Sequence, residues 1–402
     1  MRGTGEVDTI KPVDVVLVGT SGYGGYYIDQ FREGPDMGAT IRAVVDPFAS
    51  ASPHLPWLRE RSIPVFDRLE DFYGSGGRAE LVVISSPIQF HHGQAKTAME
   101  RGAAVLCEKP LCACAADAVA LREIQERTGV PFGVGFQWSF SLTMEALKHN
   151  ILAGTFGKPI ALKTIVSWPR GDAYFDPRGW KGKRRDKDGE AINDSIAMNA
   201  TAHYLHNMLF LLGAEMDSAA CPETVSGSLY RARNIETFDT CFLRGSFADG
   251  CTLLFCASHV AEKRIDPQFE YRFEKGIVFF DENADGVVRA VFRDQSVKAY
   301  GQPQSDAEIR RKLLVMVDAA RTGKRPVCGI STALPHLRVC DALLRWMDIA
   351  AFPRELIRTR TAEPSGLYVK GLDKAMESFY RTGEPPDGSS ASWAARERAV
   401  QI

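Results

Sequence analysis

Val13 to Val18 is an apolar run that ends in Gly19-Thr20-Ser21-Gly22-Tyr23-Gly24-Gly25. A buried strand feeding a glycine-rich turn into a helix is the arrangement that most restricts the fold of this chain. Gly19, Gly22 and Gly25 form G-x-x-G-x-x-G, a variant of G-x-G-x-x-G with Ser21 in the place of the second glycine. Such a loop supplies a tight turn, bare backbone beside a pyrophosphate and free amides at a helix N-terminus. Tyr26 to Phe31 begins the helix, and a second apolar strand, Ile41 to Val45, ends in Asp46. An acid at that point accepts from a ribose 2′-hydroxyl. No arginine in Pro47-Phe48-Ala49-Ser50 is placed to hold a 2′-phosphate, so NAD is expected rather than NADP. A glycine loop alone is often only a turn, and a lone Asp at a strand end only a cap. Strand, loop, helix, strand and acid in this order point to a dinucleotide site.

The alternation continues. Leu81 to Ile84 reads as a strand, Ser85-Ser86-Pro87 as a turn and Gly93 to Glu100 as a helix, followed by strands Ala104 to Cys107 and Pro131 to Gly135. Strands alternating with helices imply right-handed crossovers and a doubly wound parallel sheet, an N-terminal Rossmann domain over residues 1–137. The strand at Ala104 stops in Glu108-Lys109-Pro110. A lysine where a buried parallel strand ends lies at the mouth of the ligand crevice, where its ammonium can bond a substrate oxygen. Taken alone, it reads as a solvated strand-end lysine, and the motifs around it overturn that reading.

The 402 residues carry 45% hydrophobic and 25% charged side chains and a net charge of −1, which gives no electrostatic reason to expect nucleic acid or an anionic membrane as partner. No apolar stretch approaches the length of a membrane span, and Met1 to Pro12 lacks the apolar core of a signal peptide. Nine scattered cysteines suit free thiols in a reducing cytoplasm. Cys107, Cys112 and Cys114 have no second ligand set, so no metal is expected.

Composition shifts after Gly135, and residues 138–365 read as an α+β domain. Phe140 to Leu152 is helical, and Gly154 to Pro159 turns into strand Ile160 to Val166. Trp168 to Glu190 is polar, with Arg170, Arg178, Lys181, Lys183, Arg184, Arg185 and Lys187 among acids. It reads as a solvated loop, or as a substrate loop whose cations receive an acidic sugar. Asn199 to Leu212 has Asn199, His203, His206 and Asn207 on one helical stripe opposite an apolar arc, so two imidazoles are expected on a polar face. Thr224–Tyr230, Thr240–Phe247, Cys251–Ser258, Gln268–Phe273, Gly276–Phe280 and Val287–Arg293 read as strands of a mostly antiparallel open sheet. Asp306–Arg321, Thr332–Ala350 and Tyr368–Arg381 read as helices, and residues 366–402 as a terminal helix and polar tail.

The glycine loop, VVDP around Asp46, SSPIQFHH, CEKPL and VGFQ ending at Gln137 together resemble the glucose–fructose oxidoreductase and inositol dehydrogenase family, Gfo/Idh/MocA. The resemblance implies that Lys109 approaches the reacting centre. It implies a cofactor set of Gly19, Ser21, Gly22, Tyr23, Gly24, Asp46, Ser86, Pro87, His91, Glu108, Lys109, Gln137 and Trp180. Together with the polar stripe and the carboxylate just before it, the resemblance puts Lys109, Asp194, Asn199, His203 and His206 at the substrate, with Lys109, His203 and Asn199 catalytic. The family helix D-x-G-x-H-x-x-D keeps His203 here but has Asn199 for the first acid, Thr201 for the glycine and His206 for the second acid. An amide orients a hydroxyl but takes up no proton, and Asp194 is the nearby carboxylate that could replace the lost acid, or is a helix cap. An arginine common two residues beyond Gln137 is Ser139 here. The resemblance further implies a homodimer or homotetramer through the open sheet.

The expected activity is hydride transfer from a secondary hydroxyl of a sugar, cyclitol or glycoside to NAD. Two alternatives are an NAD-dependent glycoside hydrolase acting by transient oxidation, elimination and re-reduction, and a non-catalytic cofactor-binding sensor.

Overall fold

The computed structural model describes residues 11–361, 363, 365–389 and 391–402; the first ten residues, which the signal-peptide and domain readings include, lie outside them. The N-terminal sheet contains β1 (Val13–Val18), β2 (Ala39–Val45), β3 (Val65–Phe66), β4 (Leu81–Ile84), β5 (Ala104–Cys107) and β6 (Phe132–Val134) in the order β3-β2-β1-β4-β5-β6. Every neighbouring pair is parallel. The helices are α1 (Tyr23–Glu33), α2 (Leu55–Glu60), α3 (Leu69–Gly74), α4 (Ile88–Glu100) and α5 (Ala115–Thr128). α4 starts five residues before the expected Gly93, because Pro87 stays extended and caps it while Gly93 is absorbed into the helix. The strand order reverses between β1 and β4, and the crevice at that switch is bordered by the glycine loop and Ser85-Ser86-Pro87. β5, the next strand, adds Glu108-Lys109-Pro110 at the same edge, with a cis peptide between Lys109 and Pro110.

The second domain begins with α6 (Leu142–Leu152), β7 (Pro159–Ser167) and α7 (Ala202–Leu211), and continues through β8 (Thr224–Arg231), β9 (Thr240–Ser246), β10 (Thr252–Ser258), β11 (Ile265–Phe273), β12 (Gly276–Asp281), β13 (Val288–Phe292) and β14 (Val297–Gly301). α8 (Asp306–Thr322), α9 (Ile330–Trp346), β15 (Ile349–Ala351), β16 (Ile357–Arg360), β17 (Gly366–Val369), α10 (Leu372–Thr382) and β18 (Arg398–Gln401) complete it. The large sheet runs β14-β13-β12-β11-β7-β10-β9-β8-β15, with β18 also on β8. Pairs β7–β10 and β8–β15 are parallel and the others antiparallel. The six strands expected from the sequence are present. The short edge strands β14, β15 and β18 were not expected, since they carry no alternating apolar face. The expected helix to Ala350 ends at Trp346, and α10 starts at Leu372 because Gly371, at φ +83°, precedes it.

The open sheet is present, and the face that the resemblance leaves for a second subunit is covered in part. Leu372, Met376 and Phe379 of α10, with Phe352 and Trp393, bury the outward residues Ile165, Tyr230, Phe242 and Cys256 of β7 to β10. The chain's own C-terminal segment covers half of that face, and Ile277, Phe279 and Val297 stay exposed on the other half. The tail is therefore structural as well as polar: Trp393 packs on Tyr230 and Phe352. Among the described residues no helix is long and apolar enough to cross a membrane.

One helix joins the two halves. α8 returns to the N-terminal sheet, where Leu313, Met316 and Val317 pack with Val15, Leu17, Val83 and Leu106. Lys312 on its buried face reaches the end of β5, with Nζ 2.5 Å from Glu108 Oε1. The Tyr27 hydroxyl donates to the same oxygen at 2.6 Å, and the Lys312 ammonium lies 4.0 Å from the centre of the Tyr23 ring. Removing one member of a buried pair strands the other charge in a low-dielectric core. Lys312→Met should therefore cost about 3–5 kcal/mol in urea denaturation, and adding Glu108→Gln should restore most of it.

Candidate active site

The glycine loop has the geometry that a pyrophosphate needs. Gly19 and Gly22 adopt φ of +95° and +56°, which L side chains rarely adopt. A Cβ on Gly24 would lie 2.3 Å from the Gly19 carbonyl oxygen, so helix and turn approach closely only because the side chain is absent. No side chain caps the N-terminus of α1 and no acid occupies its first turn, which leaves its amides for an external anion. Ser21 and Gly22 are exposed at the bend. Asp46 is fixed at the end of β2: Oδ2 accepts from the Thr20 amide at 2.9 Å and its hydroxyl at 2.6 Å, and Oδ1 from the Phe48 amide at 2.8 Å. These residues fit a dinucleotide of the NAD type.

Other residues expected at the cofactor brace the crevice. Both ring nitrogens of His91 face carbonyl oxygens, Nδ1 that of Pro110 at 2.9 Å and Nε2 that of Ser86 at 2.8 Å. The buried imidazole thus joins the Ser86-Pro87 turn to the Lys109-Pro110 turn, and its nitrogens are not free for a ligand. The Glu108 carboxylate is likewise engaged within the protein, by Lys312, Tyr27 and, at 3.2 Å, the Lys109 amide. Tyr23 donates to Gln137 Oε1 at 2.6 Å and ties the glycine loop to the segment after β6. Trp180 packs with Ile88, Ala113 and Ile192, just past Pro87 at the start of α4.

Lys109 reaches across the domain junction. Its Nζ donates to the Asn199 carbonyl oxygen at 2.7 Å and to Asn199 Oδ1 at 3.2 Å. Asn199 Nδ2 donates to Asp194 Oδ1 at 2.8 Å, and Asp194 Oδ2 accepts from the Gly182 amide at 2.6 Å. Ser195, not Asp194, caps the following turn by accepting from the Met198 amide. Lysine, amide and carboxylate therefore form a chain. Burial pushes the Lys109 ammonium down to about 8; Glu108 and Asp194 oppose that shift, and Lys181 and Lys312 add to it. Burial raises the Asp194 carboxyl, against the pull of Lys181 and its hydrogen bonds.

The expected continuous helix from Asn199 to Leu212 is also corrected. Ile196–Ala200 is a π-turn, Thr201 breaks the ladder with its hydroxyl on the Ile196 carbonyl at 2.8 Å, and α7 starts at Ala202. Asn199 and His203 thus belong to different elements. Nor does α7 present a polar stripe. His206 is fully buried, stacked on Phe136 at 3.8 Å with Nε2 3.0 Å from Ser139 Oγ, and Asn207 donates to the Tyr271 hydroxyl at 3.3 Å. Core partners engage His206 Nε2 and Asn207 Nδ2, while His206 Nδ1 and Asn207 Oδ1 are enclosed in the core without a partner, so His206 is not among the groups meeting Lys109. His203 differs in retaining partial exposure; its Nδ1, like that of His206, has no hydrogen-bond partner. Burial, reinforced by the neighbouring Lys109, holds its pKa well below the ordinary histidine value, so the ring is a neutral acceptor at pH 7.

Several neighbours escaped the sequence reading. Thr20 orients Asp46, Gly182 donates to Asp194, and the Thr237 hydroxyl bonds the Asp194 carbonyl oxygen. Lys312 left one legible sign, a lysine inside the apolar stripe of Ile309, Leu313 and Met316. The hydroxyl and amide contacts left none, because they join distant segments. Among the described residues no group of His, Cys, Asp or Glu is arranged to hold a metal.

Residues 13–136 match the family model described as an oxidoreductase family with an NAD-binding Rossmann fold, and residues 144–279 match the GFO/IDH/MocA C-terminal domain. The chain is 28% identical to the inositol 2-dehydrogenase of Corynebacterium glutamicum over 170 residues, 41% of this chain and 48% of that protein. It therefore spans about half the length of that curated relative. Inositol 2-dehydrogenase 1 of Saccharopolyspora erythraea is 27% identical over 68% of this chain and 76% of its own. In fold, the chain is similar to the WlbA dehydrogenase of Bordetella pertussis, solved with NADH and UDP-GlcNAcA, at a TM-score of 0.65 and 20% identity over 83% of this chain and 96% of that one. A levoglucosan dehydrogenase solved with NADH and levoglucosan gives a TM-score of 0.65 at 16% identity, over 83% and 96% of the two chains. With both of its domains matched in order along the sequence, the chain belongs to the GFO/IDH/MocA family of oxidoreductases.

Proposed function

We propose that this protein is an NAD-dependent dehydrogenase of a secondary hydroxyl on a sugar or cyclitol. The observation that carries the reading is the convergence of Lys109 and His203 beside the crevice that the glycine loop and Asp46 border. NAD, when bound there, supplies the hydride acceptor. Gly19, Gly22 and the open end of α1 would hold its pyrophosphate, and Asp46 its ribose. The neutral His203 takes the hydroxyl proton, and the Lys109 ammonium stabilises the alkoxide as negative charge develops on the oxygen. Asn199 orients the ammonium, and Asp194 holds Asn199 and favours the charged lysine. The relatives named inositol 2-dehydrogenase support a polyhydroxylated ring as substrate. Association with a second copy through the large sheet would use the uncovered half bearing Ile277, Phe279 and Val297.

Lys109→Ala should lower kcat/KM by about 10²–10³-fold while the Kd for NADH changes little; parallel losses in both overturn the assigned role. Lys109 acts as an ammonium with a pKa of about 8, so the oxidation rate should fall as pH rises through that value. Asp194→Asn removes a charge that favours the ammonium, and the alkaline limb should then move to lower pH. A limb that stays in place shows that Asp194 only packs. The product balance should be one NADH per oxidised sugar; glycoside cleavage that requires NAD but yields no NADH identifies the redox-neutral hydrolase instead.

A further inference from the structure

The polar segment after β7 brings two more cations to the mouth of the Lys109 site. The Arg170 guanidinium carbon lies 5.0 Å, and Lys181 Nζ 5.1 Å, from the centre of the same Tyr174 ring. Trp180 lies 3.6 Å from the Lys181 ammonium, and Trp168 5.7 Å from the Arg170 guanidinium. The other basic side chains of this segment answer to acceptors of the chain. Arg178 pairs with Asp176 and Lys187 with Asp188. Lys183, Arg184 and Arg185 bond the carbonyl oxygens of Pro177, Leu344 and Gly189.

Arg170 and Lys181 are exceptions. Among the described residues neither side chain makes an ion pair or a hydrogen bond, and Arg170 Nε is buried without a partner. Both residues are half-buried, so their charges are partly desolvated yet reachable. A cation withdrawn from water and left unpaired is costly unless a ligand supplies the counter-charge. The carboxylate that acts on Lys181 is Asp194, whose oxygens already accept from Gly182 and Asn199. His259 stands against Tyr174, but burial pushes it down to about 3 and it adds no charge at neutral pH.

We infer that Arg170 and Lys181 form an anion subsite that binds a carboxylate borne by the sugar or cyclitol oxidised at Lys109. The inference rests on the dehydrogenase reading of that site. Charge balance selects a monoanion. Lys312 neutralises Glu108, Asp194 answers one of the three cations Lys109, Arg170 and Lys181, and the developing alkoxide is matched by Lys109, which leaves one positive charge for the ligand. The planar guanidinium suits a carboxylate, and the aromatic rings of Tyr174, Trp168 and Trp180 lower the dielectric around both cations.

The test is calorimetric titration of the NADH-loaded full-length protein with D-glucuronate and D-galacturonate, each against its neutral parent sugar. At least one uronate should bind about tenfold tighter than its parent, a difference of about 1.4 kcal/mol. Arg170→Gln and Lys181→Gln should each cut that preference by about fivefold or more, with affinity for the neutral sugar and the thermal midpoint nearly unchanged. Uronates that bind no tighter than their parents overturn the subsite, as does a preference that survives both substitutions. A protein that takes up no NADH refutes the dehydrogenase reading instead, and the subsite with it.

Discussion

The site is arranged around a carboxylate buried at the end of a parallel strand. Glu108 is enclosed by the core, and the Lys312 ammonium neutralises it from a helix about two hundred residues further along the chain. The same contact sets three things at once. It docks α8 onto the N-terminal sheet, fixes Tyr27 and the Tyr23 ring at the glycine loop, and holds the backbone from which Lys109 projects. A charged pair in a dry core is poor at adding net stability, yet it tolerates little displacement. That intolerance suits a place where two domains must meet in one register.

From that anchor other buried polar groups extend the scaffold. His91 holds two crevice turns together through backbone carbonyls, and Tyr23 with Gln137 bridges the glycine loop to the end of the sheet. Lys109, Asn199 and Asp194 then cross from one domain to the other. At the junction the groups with unused capacity include His203 Nδ1 and the side chains of Arg170 and Lys181, whereas others, such as His206 Nδ1 and Asn207 Oδ1, are enclosed in the core. Satisfied polar groups build the scaffold, and the two cations without counter-charge at the junction are where an anionic ligand would complete it.

The replacement of an acid by Asn199 becomes intelligible in this frame. A carboxylate directly beside Lys109 would hold the ammonium more strongly. An amide with Asp194 behind it keeps the orientation while burial lowers the lysine to about 8. The π-turn at Ile196–Ala200 brings the Asn199 carbonyl and side chain to the same ammonium, a local irregularity at a functional position.

The sequence by itself determined the dinucleotide domain, because its signals are local: each strand, its turn and the next helix are contiguous, and glycine at a positive φ is a property of one residue. It also determined Lys109, Asp46 and His203 as groups to watch, and the succession of strands in the second domain. Tertiary structure decided which polar residues are free. His206 and Asn207 share a stripe with His203 in the sequence, yet both are fully buried, and Ser139 and Tyr271, from distant segments, each engage one of their polar atoms. Glu108 reads as part of a ligand motif, but Lys312 claims it. The covering of the large sheet by α10 and Trp393 was equally beyond a local reading. Periodicity says which side of an element is apolar, while what that side meets depends on contacts between segments far apart in the chain.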